Sequence, residues 1–385
     1  MPRTPSARCT WPSSGRAAGR RQGRYWRRWA EASWSGACGR PQGWRQCPVR
    51  PRPPRSPSPE GFPGEAPSPG PRGRCVVLCT LRVEPRHVER IQSAHPRVEV
   101  RAVRREEVEP HLPDAEVLLT WAVPDSWVRQ AERLRWVHVS SAGVDHLWGG
   151  ALWTSAVLLT NSRGIHAGPM AEHVVGWLLM FARNLHNHLH HQRERRWEKD
   201  VGGVFAGSTV GVVGLGAVGE EVARLSKALG ARVVGLRRRV RPSPYADRVV
   251  GPEGLQELLE ESDYVVLTVP LVPSTQRWIG ARELSWVKPH AVLVNVARGG
   301  VVDEEALVAA LREGRLRGAA LDTFETEPLP PASPLWDLPN VLVSPHVAGN
   351  FPGYVDAVVD VFCDNLRRYL AGEPLRNVVD RQAGY

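Results

Sequence analysis

The sequence predicts an α/β protein built on two parallel, doubly wound sheets. Short apolar, β-branched runs alternate with amphipathic stretches from residue 75 onward. A G-x-G-x-x-G turn stands where one such run meets a helical stretch. Composition also shifts abruptly near residue 75, which sets the preceding leader outside the pattern.

The first series begins with Cys75–Thr80, a continuous apolar run of the kind buried on both faces of a parallel sheet. A helical stretch over Pro85–Ala94 follows, then strands at Val98–Val103, Ala115–Thr120, Trp136–Ser140 and Ala156–Thr160. A long apolar helix, Ala171–Leu185, opens the second series. Its six strands fall at Thr209–Val213, Arg232–Leu236, Tyr264–Val269, Ala291–Val296, Gly318–Leu321 and Val341–Val343. Helices are expected between them at Val218–Leu229, Gly254–Glu261 and Glu304–Arg312. A last helix, Tyr354–Leu370, is expected to pack back on the first sheet.

Charge separates the leader from the body. The chain of 385 residues carries +10 overall; residues 1–74 hold 15 Arg, no Lys and 3 Glu, a net of +12, and residues 75–385 a net of −2. The body is therefore not a basic nucleic-acid binder, and nucleic acid is not an expected partner. The leader contains 14 of the 34 Pro and shows no helical or strand period, so disorder is expected there. The excess of Arg over Lys, 47 to 3, points to translated upstream sequence with a natural start near Val76. The competing reading is a functional tail whose Arg and Trp residues stack on single-stranded nucleic acid. No apolar run reaches the ~18 residues of a membrane span. Six Cys without a CxxC pair fit a reducing, cytoplasmic setting.

Gly214, Gly216 and Gly219 form the glycine motif between a strand and a helix. The first allows the tight turn, the second admits a pyrophosphate to the backbone, and the third lets helix and strand approach. The helix N-terminus favours the anion. At the end of the next strand an acid would select the ribose 2′-OH of NAD(H), but this chain reads Leu236-Arg-Arg-Arg239. Arg237 and Arg238 can fork to a 2′-phosphate, so NADP(H) is expected over NAD(H). A solvated arginine cluster is the competing reading.

Ser140-Ser-Ala-Gly-Val-Asp-His146, the glycine motif, Asn295-Val-Ala-Arg-Gly-Gly300, Ala320-Leu-Asp-Thr-Phe-Glu-Thr-Glu-Pro328 and Ser344-Pro-His-Val-Ala-Gly349 occur in this order. In these motifs the chain resembles the D-isomer-specific 2-hydroxyacid dehydrogenases across about residues 75–385. The resemblance implies a Rossmann cofactor domain, residues 167–349, inserted into a smaller flavodoxin-like substrate domain, residues 75–166 and 350–385. It implies Arg298 as the substrate-binding arginine, Glu327 as the acid paired with histidine, and His346 as the acid/base. Asp322 would contact the nicotinamide carboxamide. The loop Thr120-Trp121-Ala122 would hold the substrate carboxylate, with Trp121 bulkier than the small residues often found there. Leu215, Ala217 and Val218 of the glycine turn, and Val269, Pro270 and Ala297 at other strand ends, complete the implied cofactor site, which His346 also borders.

The chemistry stands beside the resemblance. Reducing a 2-keto acid needs a hydride at C2 and a proton at the carbonyl oxygen. Histidine can hold that proton near neutral pH, and a neighbouring carboxylate favours the imidazolium. Arg298 can pair with a carboxylate and polarise the carbonyl. Glu325 is a solvated loop acid on this reading, because only Glu327 precedes Pro328. Asp145 and Glu172 match family positions, with helix capping or fold stabilisation an equal alternative. His186 and His190 have metal-compatible i, i+4 spacing but lack a third ligand before Glu194, so a polar surface is expected and no metal. The expected activity is NADPH-dependent reduction of a small 2-keto acid to the D-2-hydroxy acid by a homodimer joined through Ala171–Leu185. The alternative is a nucleotide-sensing, corepressor-like binding protein on the same fold.

Overall fold

A computed structural model describes residues 73–385. The expectations for the leader fall outside the described residues, apart from its last two positions.

The first sheet contains β1 (Cys75–Cys79), β2 (Val98–Ala102), β3 (Val117–Thr120), β4 (Trp136–Val139) and β5 (Leu158–Asn161). All pairs are parallel, in the order β2-β1-β3-β4-β5. Helices α1 (Pro85–Gln92), α2 (Asp125–Gln130) and α3 (Ala151–Thr154) lie in its crossovers. Both α2 and α3 are too short for a periodic signal, and neither was expected.

After α4 (Ala167–Ala182) and α5 (Leu185–Arg193) the second sheet begins. The helix expected to Leu185 ends at Ala182, and a second helix that was not expected starts after Asn184, which adopts a left-handed φ of 53°. Its side chain donates to Asp200 Oδ1 at 2.9 Å, which ties this turn to a residue sixteen positions away. The sheet comprises β6 (Thr209–Val213), β7 (Arg232–Leu236), β8 (Arg248–Val250), β9 (Tyr264–Leu267), β10 (Val292–Asn295), β11 (Gly318–Leu321) and β12 (Val341–Val343). Its order is β12-β11-β10-β9-β6-β7-β8, again all parallel. This is the dinucleotide-binding order with a further strand at the edge. β8 was not expected: it has three half-buried residues, begins with Arg248, and offers no apolar run. Helices α6 (Ala217–Ala228), α7 (Leu255–Glu261), α8 (Ala281–Leu284) and α9 (Glu304–Arg312) cover this sheet. The α4 residues Ala171, Val174, Leu178 and Phe181 are buried against it.

The final helix, α10 (Tyr354–Ala371), returns to the first sheet. Trp136 stacks on Phe362 at 5.1 Å and lies 5.4 Å from Tyr369. Tyr369 donates to buried Glu116 at 2.8 Å. These contacts make the first sheet a product of both ends of the described chain.

Beneath that helix lies a closed polar chain. Trp136 Nε1 donates to Thr160 Oγ1 at 2.8 Å, and Thr160 Oγ1 meets His138 Nδ1 at 2.7 Å. His138 Nε2 meets Ser162 Oγ at 3.0 Å, which donates to the Val139 carbonyl at 3.3 Å. One neutral tautomer, protonated on Nε2, satisfies every member. Burial pushes the His138 pKa from 6.5 down to about 3. Protonation therefore favours the unfolded chain, whose histidine titrates normally. The expected outcome is full stability above pH 6.5 and progressive loss as pH falls toward 3; His138→Gln should flatten that dependence in denaturant melts.

Candidate active site

Site residues leave the carboxyl ends of the strands in both sheets, where parallel α/β folds gather their ligands. On the second sheet, Gly214 follows β6 with φ of +111°. Thr268 Oγ1 donates to its carbonyl at 2.7 Å. A Cβ at Gly219 would stand 2.1 Å from the Gly214 oxygen, so the close start of α6 requires glycine there. A Cβ at Gly216 would meet nothing within 4 Å. No internal packing demands glycine at this position, and the open space beside it fits the approach of a pyrophosphate. Ala217 and Val218 open α6, whose first amides lack helical carbonyl partners. Leu215 is buried against Gly235, where a Cβ would fall 2.1 Å from Leu215 Cδ1. Val269 and Pro270 follow β9, and buried Ala297 follows β10. This cradle fits a dinucleotide.

The three arginines after β7 have different surroundings. Arg237 is buried and donates through Nη2 to the Leu215 carbonyl and to Glu220 Oε1. Ser243 donates to the other oxygen of Glu220. Arg238 is exposed, and its guanidinium lies 5.2 Å from the Tyr385 ring centroid. Arg239 is exposed as well.

Arg298 stands just beyond β10 and reaches the first sheet. Its Nε donates to Asp145 Oδ1 at 3.1 Å and its Nη1 to the Ala297 carbonyl at 2.9 Å. Asn295 fastens the turn through Arg298 O and Ala297 N, both at 3.0 Å. A Cβ on Gly143 would lie 2.1 Å from Arg298 Nη2. Gly143 thus leaves the volume that the guanidinium fills. Asp145, for which capping was an equal reading, is engaged with Arg298.

The backbone of Gly299 abuts that of Phe324 and Glu325, since a Cβ there would lie 1.8 Å from Phe324 C. Three residues beyond Phe324 is Glu327, which begins a cis bond to Pro328. One Glu327 oxygen accepts from Phe324 N at 3.0 Å, and the other meets His346 Nδ1 at 2.7 Å. Arg298, Glu327 and His346 are thereby connected through a short run of contacts. Glu325 turns elsewhere, to Arg277 at 3.3 Å.

His346 has a left-handed φ of 52°, an uncommon conformation for a non-glycine residue. Its amide donates to Asp322 O at 2.9 Å. The Asp322 carboxylate accepts from Ser344 Oγ, from Val347 N at 2.9 Å and from Ala348 N at 3.0 Å. With 1% of its surface exposed, Asp322 is a peg for the His346 turn. His173 Nε2 meets Ser344 Oγ at 3.2 Å, and His166 Nδ1 meets Gly349 O at 3.1 Å. Burial and the nearby Arg298 charge lower the His166 pKa, while its bond to Gly349 opposes them. Neither histidine was singled out from sequence, because their partners lie 171 and 183 positions away.

On the first sheet, Trp121 and Ala122 follow β3. Trp121 is half exposed and stacks on His146 at 4.9 Å with rings 10° apart. His146 Nε2 also meets the Trp121 carbonyl at 2.9 Å, which fixes the loop. Glu172, for which capping or fold stabilisation was an equal reading, is exposed on α4, and His190, expected on a polar surface, pairs with Glu194 at 3.1 Å. Among the described residues no group of three or more His, Cys, Asp or Glu side chains is arranged to hold a metal.

Residues 175–348 match the family model for the NAD-binding domain of D-isomer-specific 2-hydroxyacid dehydrogenases. A crystal structure of such an enzyme from Xanthobacter autotrophicus Py2, with NADPH and MES, is 34% identical, with a TM-score of 0.74. That alignment covers 81% of this chain and all of the other. This chain belongs to the D-isomer-specific 2-hydroxyacid dehydrogenase family. It is an oxidoreductase of the NAD(P)-dependent class acting on CH–OH groups. An NADPH-dependent glyoxylate/hydroxypyruvate reductase from Sinorhizobium meliloti, solved with NADP and sulfate, is 30% identical with a TM-score of 0.73. It too aligns over 81% of this chain and its own full length. D-3-phosphoglycerate dehydrogenase of Methanocaldococcus jannaschii is 32% identical over 72% of this chain, but the match spans only 54% of that protein. The dehydrogenase fold thus carries the expected α/β architecture, with parallel sheets and a Rossmann cofactor domain. Asp322→Asn removes acceptors from the family histidine's turn and should cost about 1–3 kcal/mol in urea unfolding.

Proposed function

We propose that this dehydrogenase reduces a small 2-keto acid, such as glyoxylate or hydroxypyruvate, to the D-2-hydroxy acid with NADPH. The observation that carries the reading is the 2.7 Å contact between His346 Nδ1 and Glu327 beside the Arg298 turn. Glu327 occupies one ring nitrogen and leaves Nε2 to exchange a proton with the substrate oxygen. The same carboxylate compensates the imidazolium. Arg298 Nε is held by Asp145, and its outer nitrogens pair with the substrate carboxylate and polarise the carbonyl. Backbone groups at Trp121 and Ala122 hold the carboxylate from the opposite lobe. When bound, the dinucleotide supplies the hydride that C2 receives. The keto acid, NADPH and one proton yield the hydroxy acid and NADP⁺; the reverse reaction returns that proton to His346.

The preference for NADP(H) rests on Arg238, because Glu220 and the Leu215 carbonyl engage Arg237. The solved relatives crystallised with NADPH or NADP support this choice. Free, buried Cys75, Cys79 and Cys363 support a cytoplasmic setting, and no helix among the described residues is long and apolar enough to cross a membrane.

His346→Ala and Arg298→Ala should each lower kcat/KM for glyoxylate or hydroxypyruvate by at least about 100-fold while leaving NADPH binding near wild type. Wild-type turnover in His346→Ala would defeat the acid/base role. Protein that binds NADPH but turns over no member of a 2-keto acid panel would favour the corepressor-like alternative.

The proposed homodimer uses a surface adjoining the apolar face of α4, much of which its own core covers. Leu185, Leu189, Trp197, Val201 and Val204 are exposed in the next segment, Trp197 at 95%. Analytical ultracentrifugation should give twice the 42.6 kDa chain mass, and Trp197→Glu should shift the protein toward monomer.

A further inference from the structure

Residues 380–385 form a tight turn that reaches both sheets. Asp380 Oδ1 accepts from Gln382 N at 3.0 Å and Ala383 N at 2.9 Å. Asp380 N donates to Tyr385 O at 3.1 Å, and Gly384 N donates to Asp380 O at 2.8 Å. Arg381 anchors the turn to the first sheet by donating to Ser155 O at 2.8 Å, Leu152 O at 3.3 Å and Val157 O. Gly384 has φ of +85°, and a Cβ there would lie 2.9 Å from Val272 and 3.3 Å from Trp148. The turn therefore passes from the substrate side to the loop after β9. Tyr385 then places its ring 5.2 Å from the Arg238 guanidinium carbon.

A ring contact and a phosphate contact use different parts of an arginine. The aromatic ring attracts the face of the guanidinium, whereas the N–H donors lie in its plane. A Tyr385 ring that meets the guanidinium face restrains Arg238 without consuming the edge that forks to phosphate. Arg237 shows the contrasting arrangement, with Nη2 donating to protein oxygens. Restraining an exposed, flexible side chain before binding reduces the ordering cost at the moment of contact.

We propose that Tyr385 is a positioning residue for cofactor choice: it holds Arg238 ready for the 2′-phosphate of NADP(H), with residues 380–384 as its rigid mount. This rests on the NADP(H) reading above. Its test is fluorescence titration of the full chain with NADPH and NADH, using wild type, Arg238→Ala, Tyr385→Ala, Tyr385→Leu and Tyr385→Phe. Arg238→Ala should raise Kd for NADPH at least about tenfold and leave NADH unchanged. Tyr385→Ala and Tyr385→Leu should raise Kd for NADPH about fivefold, again without moving NADH. Tyr385→Phe should behave as wild type, because it keeps the ring face. Tyr385→Leu retains apolar bulk and serves if the alanine variant does not fold. If Arg238→Ala is selective but the Tyr385 variants affect both cofactors equally, or neither, Tyr385 does not position Arg238 and the 2′-phosphate reading survives. If Arg238→Ala is not selective, the 2′-phosphate reading falls, and the role of Tyr385 falls with it.

Discussion

A parallel strand must be followed by a crossover, so every strand in these two sheets releases its chain at the same edge. That constraint collects the glycine turn, the arginine segment, the Asp322–His346 region and the Trp121 loop from distant parts of the sequence. Arg298 joins the edges of the two sheets. Its Nε–Asp145 bond of 3.1 Å crosses between them, and its Nη2 uses volume left by Gly143. The orientation of the guanidinium thus depends on both sheets. Asp145 and Arg298 are only partly buried (29% of each side chain is exposed), which makes this a geometric device more than a large source of stability.

The histidine is controlled differently. His346 takes an unfavourable left-handed backbone, which surrounding bonds must over-determine. Asp322 supplies them from beneath, through its own carbonyl and both carboxylate oxygens. Glu327 fixes the ring from the side. Two carboxylates therefore do separate work: the buried one shapes the backbone, and the more exposed one orients the imidazole. The expected contact of Asp322 with a nicotinamide carboxamide would fall to Oδ2, which accepts one hydrogen bond, since Oδ1 already accepts two.

Much of this was legible because it is local. Apolar runs marked the longer strands, and Gly214, Gly216 and Gly219 occupy a turn whose demands can be read residue by residue. Arg298, Glu327 and His346 each sit within a short ordered motif. β8 was hidden because three half-buried residues at an edge produce no periodicity. The helix α5 was hidden because the Asn184 turn that precedes it is held by Asp200, sixteen positions away. Gly143 was visible as part of a motif, but its reason is a tertiary one: the nearest group to its missing Cβ belongs to Arg298.

The arginine cluster shows where composition stops being sufficient. Three consecutive arginines read alike as positive charge, yet the fold assigns them unlike neighbours. Arg237 turns under the glycine loop and neutralises Glu220, an acid in the first turn of α6. An uncompensated carboxylate there would oppose a phosphate brought to the same helix end. By engaging that acid, Arg237 offsets the carboxylate charge at this helix end while its own Nη2 stays turned to protein oxygens. Arg238, one residue later, remains exposed at the outer edge. Net charge at this strand end is thus divided between an internal counter-ion and an external donor. That division follows from the path of α6 past β7, which no count of arginines contains.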